Sequence, residues 1–297
     1  MQDGPARQRA LPYLLLLIAA ASFGGNWVAA RVVNFEVAPF ALSFWRWAIA
    51  AVLFFPFAAA QLRLDAPLIR PHLLKLFVFG AVGAGGFTLL GYWGVSYTTA
   101  INATLLNSSL PLFVVPLSWL LLGLTVSGRQ LVGLMLSLAG VISIVSGGTL
   151  QTLARLTLNP GDFLILGGAF LWAIYTVTLK WRPPLRALSF LFTTIASAAT
   201  VSLPFYLWEM AAGKTMTVTP TAVATIAYLA IFPSIVAYIC WNQAVAALGP
   251  NVVGFFNPVI PVFGILFAVI FLGEPLRAFH LAGFALVLAG VVLTSRR

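Results

Sequence analysis

The sequence predicts an all-α integral membrane protein, with ten transmembrane helices arranged as two inverted five-helix repeats around a central cavity. Three observations predict it. Of 297 residues, 61% are hydrophobic and 7% are Asp, Glu, Lys or Arg, against about 25% charged in a soluble domain. Apolar runs of about 20 residues, the length that crosses a hydrocarbon core, recur along the whole chain. Residues 107–141 also align without a gap on 257–291.

A chain this poor in charge cannot cover a water-exposed surface with polar groups, whereas lipid tails solvate Leu, Val, Phe and Ala. The net charge of +10 does not point to nucleic acid. A nucleic-acid module gathers Lys and Arg on one face, but here they sit singly or in small groups between apolar runs, as membrane proteins place loop charges. Cys240 is the single cysteine, which excludes an intramolecular disulfide and a multi-cysteine metal site. The chain has no HExxH motif and no Walker A motif, so zinc-peptidase and P-loop ATPase chemistry have no residues to rest on. No cofactor is expected.

Spans are predicted at 11–30, 39–60, 72–95, 100–122, 128–148, 160–180, 187–208, 221–246, 250–272 and 277–295. Turn chemistry separates them: Asp65-Ala66-Pro67, Ser127-Gly128, Asn159-Pro160-Gly161, Pro183-Pro184, Gly249-Pro250 and Glu274-Pro275. The chain then divides into an N-terminal tail (1–10), a first repeat (11–148), a linker (149–159), a second repeat (160–295) and a C-terminal tail (296–297). Arg7 and Arg9 before an apolar run ending near Ala19-Ala20-Ala21 resemble a cleavable signal. The repeat needs this helix as the partner of the sixth, which argues for its retention.

With the N-terminus inside, eleven basic residues fall in inside segments and four (Arg31, Arg155, Lys214 and Arg277) outside. The positive-inside rule therefore places both termini in the cytoplasm and the protein in the cell's inner (plasma) membrane as a multi-pass chain. The lipid bilayer is an expected partner, and no nucleic acid is expected.

The aligned segments match at Asn107/Asn257, Pro111/Pro261, Phe113/Phe263, Gly123/Gly273, Gly133/Gly283 and Ala139-Gly140-Val141/Ala289-Gly290-Val291. Apolar bias alone does not align an Asn, a Pro and several Gly in one register. An odd helix count per copy would invert the second copy, an organisation common in secondary transporters. The predicted spans two and seven show little similarity, and Arg46 has no basic counterpart.

Leu272-Gly273-Glu274, then Gly283 through Gly290-Val291, with Gly161-Asp162 opening a span that carries Trp172-Ala173, resemble the drug/metabolite transporter superfamily, in particular its EamA-type members. The resemblance covers nearly the whole chain. Leu122-Gly123-Leu124 lacks the Glu, and Phe23-Gly24 stands where Trp-Gly is typical. Within the family the chain looks most like bacterial amino-acid exporters of the YddG type. The resemblance implies a secondary transporter, not an enzyme. It would export small amphipathic metabolites, foremost amino acids including aromatic ones, by alternating access with broad selectivity. Drugs, nucleotide-sugar-like solutes and amines are the other cargoes this scaffold implies. A channel would need a continuous polar lining, and a membrane enzyme a clustered nucleophile, acid or metal site.

Polar residues inside spans are costly and usually face a bundle interior or cavity. Asn26, Arg46, Asn102, Asn107, Asn242, Gln243 and Asn257 fall in or near apolar runs. Trp27, Trp45, Tyr92, Trp93, Tyr97, Trp172, Tyr175, Tyr238, Trp241 and Phe256 lie near them. The expected substrate cavity takes Asn26, Trp27, Arg46, Tyr92, Trp93, Tyr97, Trp172, Tyr175, Tyr238, Trp241, Asn242, Phe256 and Asn257. Each also has a structural reading: Asn as interhelical glue, Trp and Tyr as interfacial belt, Arg46 as a buried structural partner. Arg46 as a cavity charge could pair with a substrate carboxylate, and aromatic faces could attract an ammonium group. Pro111, Pro116, Pro258 and Pro261 are expected to kink gating helices, with static packing as the alternative. No acid is placed near the middle of a span, so movement down the substrate's own gradient is expected in place of a carboxylate proton relay.

Overall fold

The computed structural model describes residues 5–33, 35–97, 106–146, 159–214, 216–272 and 277–295, with Ala103, Thr149 and Gln151. Asn102, Arg155, Gly273, Glu274, Pro275, Arg296 and Arg297 lie outside these residues, as do the side chains of Trp27 and Arg31. All regular structure among them is helical: α1 (Pro5–Val32), α2 (Pro39–Ile69), α3 (Leu73–Gly80), α4 (Phe87–Val95), α5 (Leu110–Leu122), α6 (Gly128–Val145), α7 (Pro160–Thr178), α8 (Ala187–Ala211), α9 (Pro220–Ile231), α10 (Ala237–Leu248), α11 (Pro250–Phe255), α12 (Val259–Leu272) and α13 (Ala278–Ser295). π-helical segments join α3 to α4 (Ala81–Gly86) and α9 to α10 (Phe232–Val236).

The fold is an all-α, multi-pass membrane architecture, but not the predicted one of ten spans in two inverted five-helix repeats. Among the described residues, six helical stretches are long and apolar enough to cross a membrane: Ala10–Ala30, Pro39–Val95, Pro160–Trp181, Ala187–Ala211, Pro220–Leu248 and Pro250–Phe267. The break read at Asp65-Ala66-Pro67 does not interrupt the helix. Pro67 sits inside α2, and a 3-10 turn at Arg70–His72 carries the chain straight into α3, so 39–95 is one helical stretch that doubles back. Leu110–Leu122, Gly128–Ser143 and Ala278–Thr294 are apolar but shorter. The fourth predicted span is cut because a turn at Ser108-Ser109 precedes α5. A turn over 256–258 likewise parts α11 from α12.

The prolines account for several of these boundaries. Pro39, Pro160, Pro220 and Pro250 open helices, where the missing N–H costs nothing and φ is preset. Pro111 also lies in a first turn, while Pro116 lies inside α5. Pro258 belongs to the turn before α12, and Pro261 to that helix's first turn. At α7 the side chain of Asn159 accepts from Gly161 and Asp162, and the Asp162 carboxylate accepts from the Asn159 N–H at 2.9 Å, a reciprocal cap.

Packing follows residue size. Helix α2 lies along α8, α1 along α10 and α12, and α4 along α7. Large apolar side chains such as Val52, Phe57, Leu74, Leu120 and Ile270 point outward, where lipid is their natural solvent. Helices α6 and α13 cross at backbone contact. A Cβ at Gly133 would stand 2.6 Å from the Gly290 carbonyl, one at Gly140 2.6 Å from the Gly283 carbonyl, and one at Gly290 2.2 Å from Ser137 Oγ. The reversed order of the partners makes this crossing antiparallel. Small residues permit such approach in membranes.

A Gly290→Val side chain has no room, so this variant is expected to lose about 1–3 kcal/mol of stability through overpacking. Gly128, with nothing within 4 Å of its added Cβ, is expected to accept Ala with little change. Thermal melting of the detergent-solubilised proteins checks this; equal losses for both would refute the packing assignment.

Candidate functional site

Helical spacing gathers the interior polar residues. Phe23 and Asn26 are three apart on α1, Ser43 and Arg46 three apart on α2, and Thr88 and Tyr92 four apart on α4, so each pair shares a helix face. The Arg46 side chain is 2% exposed. Its Nη1 donates to Asn26 Oδ1 at 2.8 Å and to the Tyr92 hydroxyl at 2.5 Å, and its Nε donates to Ser234 Oγ at 2.9 Å. Tyr92 OH in turn donates to Asn26 Oδ1 at 2.9 Å. The Arg46 Cζ lies 4.7 Å from the Trp47 ring centroid, a cation–π contact.

Ser234 reaches Arg46 because the chain there is π-helical. Its hydroxyl also donates to the carbonyl five residues earlier, Leu229 O, at 2.7 Å. A wider turn re-aims one side chain without ending the helix, a recurrent use of π segments at functional sites. Beside Arg46 is a small polar crevice lined by Phe23, Asn26, Arg46, Phe87, Asn107, Trp172, Asn257 and Ile260, with about 20 Å³ of free volume. That is space for about one water. Asn257 Nδ2 donates to the Asn107 carbonyl at 2.8 Å, so this side chain satisfies a backbone group freed where the helix breaks.

Beneath the crevice lies a layer of rings. Trp172 stacks on Tyr175 with centroids 5.2 Å apart, and meets Phe23 at 5.6 Å, Tyr238 at 5.0 Å and Trp241 at 5.4 Å. Trp47 meets Tyr238 edge-on at 5.4 Å. Three polar tips are engaged: Tyr238 OH donates to Gly83 O at 3.1 Å, Tyr175 OH to Asn242 Oδ1 at 2.9 Å, and Trp241 Nε1 to Thr176 Oγ1 at 3.2 Å. Gly83 must be small, since a Cβ there would stand 2.2 Å from the Tyr175 ring.

Two larger pockets flank the ring layer on the side of Lys75, Arg182 and Arg186. One, about 500 Å³, is lined by Lys75, Val78, Phe79, Tyr175 and Trp181 among others. The other, about 340 Å³, is lined by Arg182, Leu188, Ile239, Asn242 and Gln243 among others. The Tyr175–Asn242 hydrogen bond therefore joins a wall of one pocket to a wall of the other. A pair tethers the same side: Asp65, 2% exposed, accepts from the Arg186 backbone N–H at 2.9 Å and from its guanidinium.

A model of the EamA-like transporter family matches residues 10–146 and again 159–296. The chain belongs to that family. It is therefore a multi-pass membrane transporter of small solutes within the drug/metabolite transporter superfamily. It is similar to an uncharacterized transporter of Archaeoglobus fulgidus, 31% identical over 96% of this chain and 97% of that one. The uncharacterized transporter YyaM of Bacillus subtilis is 25% identical over 95% and 93%. A protein of Streptantibioticus cattleyicolor named "probable terminal-alkyne amino-acid exporter" is 30% identical over 81% and 78%. A crystallographically solved chain superposes with a TM-score of 0.79 at 18% identity over 96% and 97%, which shows a shared fold.

In this EamA-like transporter the interior gathers Asn26, Arg46, Tyr92 and Asn257 around the crevice, and Trp172, Tyr175, Tyr238, Trp241 and Asn242 in or beside the ring layer. It does not bring in Trp93, Tyr97 or Phe256. Trp93 and Tyr97 are partly exposed and sit together at the end of α4, with Trp93 against Phe40. Phe256 packs on Tyr13. Trp27 lies on α1, its side chain outside the described residues. Sequence reasoning missed Phe23, Trp47, Thr88 and Ser234 as neighbours of the site. Thr88 binds Ser43 Oγ at 2.8 Å and Trp47 Nε1 at 2.9 Å. Its spacing of four from Tyr92 was the available signal, as was the mid-span Pro233-Ser234 for the π segment.

The Tyr175–Asn242 bond is worth about 1 kcal/mol, so Tyr175→Phe is expected to raise the open fraction of the ring layer about five-fold. The buried thiol of Cys240 reports it: alkylation by a permeant maleimide should quicken by about that factor, and an unchanged rate would show that the bond holds nothing closed.

Proposed function

We propose that this chain exports small amphipathic solutes, foremost amino acids including aromatic ones, by alternating access with broad selectivity. The observation that carries the reading is the juxtaposition of a buried guanidinium and amide cluster with a continuous layer of aromatic rings. An amino acid with an apolar side chain has both chemistries, a charged head group and a body that packs on rings. The relationship to a protein named as an amino-acid exporter supports the same cargo.

The proposed binding residues are Asn26, Arg46, Tyr92, Trp172, Tyr175, Tyr238, Trp241, Asn242 and Asn257. The crevice is too small for an amino acid, whereas the basic-side pockets are large, so binding requires the ring layer to part. The prolines of α5 and of the turn into α12, Pro111, Pro116, Pro258 and Pro261, are proposed to absorb that motion. Lys75 and Arg182 in their walls support placing the large pockets on the cytoplasmic side.

Reconstitution into proteoliposomes with labelled amino acids, amines and sugars tests the reading. Saturable efflux of phenylalanine and leucine is expected, unaffected by an imposed proton gradient. Failure of every amino acid to move would overturn the cargo assignment, and strong dependence on the proton gradient would overturn movement down the substrate gradient alone.

A further inference from the structure

A guanidinium carries five N–H donors. In Arg46 the Nε hydrogen goes to Ser234 and the two Nη1 hydrogens go to Asn26 and Tyr92. Among the described residues nothing accepts from Nη2, and Arg46 lines the crevice. The protein thus engages Nε and Nη1 and leaves the terminal Nη2 amino group unused beside a cavity.

The acids among the described residues are committed elsewhere. Glu36 accepts from Thr219 Oγ1, Asp65 from Arg186, Asp162 from the Asn159 N–H, and Glu209 from the Ala41 N–H at 2.8 Å. Among the described residues no carboxylate lies within ion-pair reach of Arg46, and none lines the crevice. A buried cation without a counter-ion is strongly disfavoured. Among the described residues the site therefore presents an uncompensated positive charge with two free N–H donors on Nη2, a terminal group able to give a carboxylate a charge-assisted hydrogen bond. Among the described residues it presents no opposite charge for an ammonium group.

From this we infer that Arg46 selects cargo by its carboxylate and that the ammonium group is dispensable. Aryl-alkanoate monoanions are then substrates alongside zwitterionic amino acids, and amines lacking a carboxylate are not. The inference rests on the transport reading above and adds a charge rule to it. It also distinguishes the energetics of two cargoes. Arg46 stays in the protein, so a zwitterion moves no net charge, whereas an aryl-alkanoate moves one negative charge. An inside-negative membrane potential of about 59 mV sustains a ten-fold gradient of such an ion, so the potential drives its export.

The test uses the unmodified protein in proteoliposomes with four matched solutes: phenylalanine, 3-phenylpropanoate, phenylalaninamide and phenethylamine. Protein-dependent efflux of phenylalanine and 3-phenylpropanoate within a few-fold of each other is expected. The amide and the amine should be slower by about ten-fold or more. A valinomycin-imposed, inside-negative potential should accelerate 3-phenylpropanoate efflux and leave phenylalanine unchanged. Arg46→Gln should bring the acid-to-amide ratio to near unity. Equal transport of the amide or amine would overturn the charge rule while leaving the exporter reading intact, as would insensitivity of 3-phenylpropanoate flux to potential. Movement of none of the four solutes would count against the exporter reading itself.

Discussion

A guanidinium held inside a membrane protein, with no carboxylate beside it among the described residues, imposes its geometry on everything near it. Arg46 draws acceptors from three other parts of the chain: Asn26 on α1, Tyr92 on α4 and Ser234 on the π segment before α10. Each of these must hold its register for the others to be satisfied. That explains why α2 and α4 lie side by side although one helical stretch contains both. It also explains why the span through residues 220–248 is π-helical where Ser234 sits, since a regular α-turn would aim that hydroxyl elsewhere.

The ring layer is the complement of this polar knot. Tyr and Trp supply large apolar surface together with a hydrogen-bonding tip, and here the tips of Tyr175, Tyr238 and Trp241 find partners on a neighbouring helix or carbonyl. The layer thus closes the space beneath Arg46. A barrier built from side chains on α7 and α10 and from the Gly83 carbonyl is held by single hydrogen bonds at its edges. Such contacts are weak enough to break one at a time and specific enough to re-form in one arrangement.

The membrane character of the chain was plainly legible from composition, and so was the identity of most interior polar residues, because burying Asn or Arg in an apolar run has few structural explanations. What failed was the division into spans. Asp65-Ala66-Pro67 reads as a loop, yet Pro67 is accommodated inside α2 and Asp65 finds its partners at Arg186. Ser108-Ser109 lies within an apolar run and reads as helix, yet the chain turns there. Local breaker chemistry is overruled when a distant residue satisfies the freed groups, and no sequence window contains that residue. Trp93 and Tyr97 show the converse limit: composition marks them like Tyr92, but Trp93, the very next residue, already lies on another face of the helix, where it is partly exposed.

Asp65 and Arg186 also set an order on biogenesis. The carboxylate is almost fully buried in the finished molecule, and its partners lie 121 residues further along the chain. At synthesis rates of about 5–20 residues per second, that separation is a wait of roughly 6–24 s. During this interval the end of α2 must stay hydrated at the membrane edge or be shielded by the insertion machinery. The first part of the protein therefore cannot settle into its final depth until the ribosome has delivered α8, so insertion and tertiary assembly overlap in time.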